Sequence, residues 1–231
     1  MKKTITILSA LILSTLLSAR ADVLSQWTFE TSVPAGQPGA GIASVNFAAE
    51  VGGGIAFGLH AGDAVYSNPA GNGSVESLSS TLWAVGDFYQ FQFSTTGFTG
   101  IGISFDQTSS GTGPRDFSLS FSVNGSPFTE LGGGSYSVLA NATPNPTWNP
   151  TTSSPLYSFS FDLSFAGVDN ATTVDIRLAN VSTVSASGGV VGTGGTSRVD
   201  NFTVYSPVPE PSTAALLGLG LLAGSFIRRR K

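Results

Sequence analysis

The stretch Asp116-Phe-Ser-Leu-Ser-Phe-Ser-Val123 sets four apolar side chains, Phe117, Leu119, Phe121 and Val123, between three serines at alternate positions. Side chains alternate across a β-strand with period two, so this run has one apolar face and one wet face. "LYSFSFDLSF" repeats the pattern with Tyr157, Phe159, Phe161, Leu163 and Phe165, and "FYQFQFS", "GIGISFD", "TVDIRLA" and "NFTVYS" follow it. Asn124-Gly125 comes directly after Val123 and is a two-residue hairpin signal, because both residue types accept positive φ. No long helical periodicity interrupts these segments. A sheet that is wet on one face must bury the other, and two such sheets packed together make a β-sandwich. The expectation is therefore an all-β chain of about ten to twelve short strands, a jelly roll rather than a barrel, with strand order left open.

The two ends read differently. Lys2 and Lys3 precede an apolar run from Ile5 to Leu17, and Ala19 and Ala21 give the A-x-A spacing that signal peptidase reads. Residues 1–21 are thus expected to be a signal peptide and 22–206 the sandwich domain. The C-terminal stretch 207–231 carries Pro209-Glu210-Pro211, an uncharged run from Ser212 to Ile227, and Arg228, Arg229, Arg230 and Lys231. As a helix, residues 212–227 would extend about 24 Å at 1.5 Å per residue, short of the roughly 30 Å hydrocarbon core. Long basic side chains behind it can snorkel to make up length and hold the end in the cytoplasm.

Between Asp22 and Val208 stand three cations, Arg115, Arg177 and Arg198, against thirteen acids, a net charge of −10. An acidic body without lysine excludes nucleic acid, whose affinity comes from phosphate neutralisation, and opposes peripheral binding to anionic lipid. There is no cysteine, so disulfides and thiolate metal sites are excluded.

Candidate chemistry is sparse. The single histidine, His60, lies in the Gly-rich stretch "VGGGIAFGLHAGD", which reads as a loop, and a lone loop histidine reads as a surface residue. "SASGGVVGTGGTS" likewise reads as a mobile connection, and no P-loop or dinucleotide pattern is present. No catalytic residue is singled out. The acids Asp106, Asp116, Glu130, Asp162, Asp169, Asp175 and Asp200 keep a glycan-cleaving enzyme of jelly-roll fold open as the alternative, since two carboxylates across a cleft suffice. If the first and last strands are neighbours, Glu30, Asp200 and Asn201 could converge on a structural Ca²⁺, the one cofactor considered. Trp27, in an alternating strand, reads as core. Trp148, in the Pro-rich loop "NATPNPTWNPTTSSP", is the candidate exposed platform for a glycan.

The Val-Pro-Glu-Pro-Ser-Thr stretch, the Gly/Leu/Ala-rich span and the terminal cations resemble the PEP-CTERM sorting signal. That resemblance covers only the last two dozen residues. It implies a bacterial protein exported by a Gram-negative, exopolysaccharide-producing cell. Exosortase, a membrane transpeptidase-like enzyme, would recognise Pro209, Glu210 and Pro211. Residues 212–227 would be a transient anchor in the inner membrane and residues 228–231 the cytoplasmic stop. The body would end at the cell surface or in the biofilm matrix. "GFTGIGISFDQTSSGTGPRDFSLSFSVNGSPFTEL" and "SRVDNFTVYSPVPEPS" also resemble segments of such proteins, with Asn124 where Asp is commoner. This second resemblance implies a jelly-roll body of unassigned activity and names no catalytic residue. The reading that follows is a non-enzymatic surface or matrix protein associated with exopolysaccharide.

Overall fold

The computed structural model describes residues 21–31 and 36–207. Residues 21–207 form one compact unit. In chain order its strands are β1 (Asp22–Trp27), β2 (Phe47–Ala48), β3 (Val51–Gly52), β4 (Ile55–Leu59), β5 (Tyr66–Ser67), β6 (Leu78–Ser80), β7 (Phe88–Phe93), β8 (Gly102–Ser109), β9 (Asp116–Val123), β10 (Thr129–Ser137), β11 (Ser158–Asp162), β12 (Val174–Asn180) and β13 (Ser197–Ser206).

The strands form two antiparallel sheets. One runs β11-β8-β13-β1-β3, with β6 also on β13 and β5 on β6; the other runs β10-β9-β12-β7-β4-β2. From β6 onward the chain changes sheet at nearly every connection, which is the wiring of a jelly roll. The first and last strands are neighbours, with Trp27 opposite Phe202.

Residues 116–123 form strand β9 with its apolar side on the core. The serine side is not wet: Ser118 and Ser122 are 8 % and 2 % exposed, while Phe121 and Val123 are only half-buried. Phe117 and Leu119 have no exposed surface. Their opposite numbers on β12, Asn180 and Leu178, lie in the same register rows. The centre of the core is aromatic. Phe91 and Phe202 stack with centroids 3.6 Å apart, and Trp27 meets them edge-on at 5.4 and 5.8 Å. Trp27 is core, as its strand position implies, and its indole N–H donates to the Phe47 carbonyl at 3.1 Å. Pairs of this kind add about 0.5–1.5 kcal/mol beyond burial. At the β9–β10 turn, Asn124 and Gly125 have φ of +50° and +77°, and Ser126 N donates to Val123 O at 3.0 Å. The hairpin signal is therefore correct.

Two glycine-rich readings need correction. Residues 55–59, taken as loop, are strand β4, paired with β7. Gly58 is small for packing rather than for flexibility, because a Cβ there would lie 2.5 Å from the Tyr66 hydroxyl. The segment before β13 is tied down by Gly192 N to Thr112 O and Ser185 N to Gly189 O, both 2.9 Å. Its glycines allow close backbone approach: a Cβ on Gly195 would lie 2.2 Å from Thr112 O.

Among the described residues no helix is long and apolar enough to cross a membrane. The expected signal peptide, sorting motif, hydrophobic segment and basic stop lie outside the described residues.

Candidate functional site

Antiparallel register arranges the outward side chains of the six-stranded sheet into rows. One row reads Glu130, Ser120, Arg177, Gln90, Phe57; the next reads Ser122, Asp175, Gln92, Ile55. Neighbouring members of a row are about 5 Å apart, and successive rows are about 7 Å apart. The central polar groups are locked together. Arg177 Nε donates to Gln90 Oε1 at 2.7 Å, and the amides of Gln90 and Gln92 both donate to Asp175 Oδ1 at 2.9 Å. The Arg177 guanidinium lies 4.1 Å from the Phe88 ring centroid and 3.7 Å from that of Phe128. Partial burial lowers the Arg177 pKa while Asp175 opposes that shift; the side chain remains charged.

Among the described residues Arg177 uses only Nε for hydrogen bonds with the protein. Its other N–H groups make no hydrogen bond to the described residues, and the guanidinium is packed against two rings. Phe57, half-buried, meets Phe88 at 6.5 Å and extends the apolar border. Gln90, Asp175 and Phe88 are themselves buried, at 7, 7 and 8 % exposure. What this face presents is half-buried Arg177 and Gln92 bordered by the half-buried rings of Phe57 and Phe128. A polyhydroxylated chain has complementary hydroxyl and C–H faces.

The outer face of the other sheet carries a cleft of about 430 Å³ lined by Asn72, Ser104, Asp106, Ser154, Ser158 and Asn201 among others. A one-residue bulge in β13 places Asn201 at φ +51° and turns its amide between two acids, 3.0 Å from Asp106 Oδ2 and 3.2 Å from Asp200 Oδ2. Asp106 and Asp200 thus meet across one amide, the kind of carboxylate pair that the alternative, glycan-cleaving reading needs. Asp200, however, has no exposed surface. Its oxygens accept from Asn72 N, Ser74 Oγ, Asn201 N and the Asn201 amide. Burial, with the nearby Asp106 charge, raises its pKa to about 7 against the lowering effect of those bonds. A carboxylate so enclosed has no approach for a sugar.

Glu30 and Asp200 fasten the same loop, and Asn201 bonds Asp200. Glu30 Oε1 accepts from Glu76 N at 2.8 Å, while Asp200 holds the same 71–76 loop through Asn72 and Ser74. Asn201 turns its amide N–H group, a donor and not a metal ligand, toward both Asp106 and Asp200. Among the described residues no three His, Cys, Asp or Glu side chains stand close enough to hold a metal by themselves. Two details of the loop nevertheless suit a hard cation. Glu76 Oε2 is buried without a hydrogen-bond partner. A Cβ on Gly71 would lie 2.2 Å from Asp200 Oδ2 and 2.5 Å from Glu76 O, so an oxygen-lined space exists only because residue 71 is glycine.

His60 is a buried residue, not a surface one, at 1 % exposure. Its Nδ1 lies 3.1 Å from Asp87 Oδ2 and its Nε2 3.0 Å from Ser80 Oγ. Asp87, His60 and Ser80 thus have the connectivity of a hydrolytic triad. Ser80 cannot act as a nucleophile here: it has no exposed surface, and its Oγ also bonds Tyr89 OH at 2.7 Å. Tyr89 OH in turn donates to Ser197 O at 2.8 Å. Ser80 Oγ is thus shared between His60 Nε2 and Tyr89 OH. The chain is a core polar network connecting β6, β7 and β13.

Trp148 is likewise buried, at 6 % exposure, and is not a platform. The Pro-rich loop folds over it, with Trp148 N donating to Asn141 Oδ1 at 2.7 Å and Tyr157 meeting the indole edge-on at 5.9 Å.

Residues 207–231 match the family model described as the PEP-CTERM protein-sorting motif. The chain carries a PEP-CTERM sorting signal. Such a signal marks a secreted, surface-sorted protein. The PEP-CTERM segment begins one residue after β13 ends at Ser206. No curated protein matches the chain in sequence. Among solved structures, a family 29 carbohydrate-binding module from Piromyces equi is 13% identical, covering 83% of this chain and 92% of that one, with a TM-score of 0.37. The CBM22-2 xylan-binding domain of Paenibacillus barcinonensis Xyn10C is 11% identical over 62% of this chain and 86% of its own, with a TM-score of 0.39. The K3 cleaved adhesin domain of Lys-gingipain from Porphyromonas gingivalis is 13% identical over 62% and 79%, with a TM-score of 0.36.

Proposed function

We propose that this is an exported bacterial surface or matrix protein, processed by exosortase through its C-terminal signal, whose body binds exopolysaccharide without cleaving it. The binding surface is the outer face of the six-stranded sheet. The observation that carries this reading is Arg177, held between Phe88 and Phe128 and joined to Gln90, with donors left over. Immobilised polysaccharide from the producing cell is expected to retain the protein and to release no new reducing ends. Absence of retention removes the binding reading, and reducing-end release replaces it with the enzymatic one.

The sorting part has its own expected result. Mass spectrometry of the mature protein from its host should give a C-terminus near Pro209–Ser212 and no Arg228–Lys231. Scrambling Pro209–Pro211 should leave the precursor uncut. A full-length form persisting at steady state would contradict the reading.

The 71–76 loop is proposed to hold a structural Ca²⁺ through Glu30, Asp200 and neighbouring loop oxygens such as Glu76 O. The bound ion would supply the charge that compensates buried carboxylates. Saturation at about 100 times the dissociation constant adds about 2.7 kcal/mol, or roughly 5–10 °C in a domain of this size. Melting in Ca²⁺ against EDTA should show that rise in the wild type and not in Asp200→Asn. Equal melting temperatures for the wild type remove the ion from the account.

A further inference from the structure

The end of the sandwich from which the chain leaves for its sorting signal is also where its exposed aromatic rings lie. Of the large apolar side chains exposed among the described residues, two are aromatic: Phe165, 94 % exposed, and Phe98 at 38 %. Phe165 stands on the turn after β11, between fully buried Leu163 and Val168. That turn is fastened. Leu163 N donates to Ile101 O and Ala166 N to Leu163 O, both at 2.9 Å. Thr95 Oγ1 donates to Val168 O at 2.5 Å.

Phe98 sits on the adjoining turn, where Asn170 N donates to its carbonyl at 2.9 Å and Asn170 Oδ1 accepts from Gly97 N at 2.8 Å. The same turn abuts the exit of β13. Ser206 Oγ donates to Thr99 O at 2.6 Å, and the Cβ position of Gly100 is 3.3 Å from Pro207. Val23, 45 % exposed, is opposite Tyr205 at this end. Two rings held outward by buried anchors, beside the point where the chain departs, call for a partner on that side.

Chain length says which partner. Four residues, 208–211, separate Pro207 from Ser212, the first residue of the uncharged run. At no more than 3.3–3.6 Å per residue the five steps span about 18 Å at most. A bilayer has roughly 5–8 Å of headgroup region on each side of its hydrocarbon core. If the uncharged run sits in lipid, the exit end of the sandwich is kept within about 13 Å of the headgroup surface, close enough for its rings to reach it.

We propose that Phe165 and Phe98 form a membrane-contacting tip that rests in the lipid interface while the precursor awaits processing. This rests on the sorting reading above. The chemistry is apolar insertion rather than charge. Asp22, Asp162 and Asp169 lie at this end, while Arg177 and Arg198 lie elsewhere in the sheets and Arg115 directly before β9, at its other end. The tip therefore suits zwitterionic lipid better than an anionic surface.

The chain lacks cysteine, so single labels can be placed at will. Full-length protein in phosphatidylcholine vesicles would carry an environment-sensitive fluorophore on Phe165→Cys, on Val190→Cys or on Leu217→Cys. Val190 is 76 % exposed and lies before the start of β13, away from its exit. The expected result is a blue shift and quenching by brominated acyl chains at 165 and 217, with neither at 190. Quenching at 217 without quenching at 165 overturns the tip and leaves the sorting reading intact. No quenching at 217 overturns the membrane-inserted tail and the tip together. Equal quenching at 165 and 190 shows non-specific adsorption and also overturns the tip.

Discussion

Asp87→Ala is expected to cost the fold about 3–5 kcal/mol and lower its melting temperature by roughly 10 °C. The carboxylate is 2 % exposed and accepts three hydrogen bonds, from Ala61 N at 2.8 Å, Ala84 N at 2.6 Å and His60 Nδ1 at 3.1 Å. Alanine leaves two backbone donors and one imidazole without partners in a space packed by Trp83, whose ring centre is 4.4 Å from that of His60. Unmet buried donors each cost about 1–3 kcal/mol, and loss of the network also frees Ser80 from Tyr89 across to β13. Against a typical total stability of about 5–15 kcal/mol, this single change is a large fraction. Thermal unfolding checks it, with His60→Ala as the companion. If the two residues act through one bond, the double variant should lose less than the sum of the singles.

The same group sets a pH dependence. Burial raises the Asp87 pKa, but hydrogen bonds from His60, Ala84 N and Ala61 N, together with attraction to His60, outweigh it and hold the acid below its ordinary value. A folded pKa below the unfolded one stabilises the fold above about pH 4, the unfolded carboxylate range, and that contribution is lost as pH falls through the folded value. The stability gap between wild type and Asp87→Asn should therefore be full at pH 5 and shrink toward pH 2. A gap that stays constant with pH would show that the ionised form carries no advantage.

The sandwich was legible because its information is local. Alternation in residues 116–123 and the Asn124-Gly125 pair each concern neighbours in sequence. The folded chain keeps the strand, its core side and the turn, while burial of Ser118 and Ser122 depends on what packs over the other side. His60 was misread because its partners are 27 and 20 residues away, and nothing in the adjacent glycines indicates them. Trp148 was misread because a loop rich in proline can close over its own tryptophan, and Tyr157 supplies the cover only after the chain turns back. The candidate surface was half visible. "FYQFQFS" and "TVDIRLA" each show their outward residues in sequence. That Gln90 faces Arg177, and Gln92 faces Asp175, is a matter of register between residues 87 and 83 apart in sequence. Period two gives the face of each strand but not the neighbour that completes a row.

Register also identifies the change that should most affect binding. Arg177→Ala is expected to weaken retention on the polysaccharide about 10- to 100-fold, the effect of losing roughly 1.5–3 kcal/mol of charge-assisted hydrogen bonding. The loss extends beyond one side chain, because Phe88 and Phe128 hold the guanidinium from two sides and Gln90 Oε1 takes its bond from it. Arg177→Lys keeps the charge but supplies neither the planar fork nor the ring stacking, so it should bind nearly as poorly as alanine. The fold should survive both changes. The side chain is half-buried on an outer face, and Gln90 keeps its bond to Asp175 when the guanidinium is gone. Ser158→Ala provides the comparison in the cleft of the other sheet, where the hydroxyl donates to Asp106 at 2.5 Å. Retention lost at Arg177 and kept at Ser158 places the ligand on the six-stranded sheet. The reverse pattern, with circular dichroism showing both variants folded, would move the ligand to the Asp106 cleft and leave the Arg177 array as packing alone.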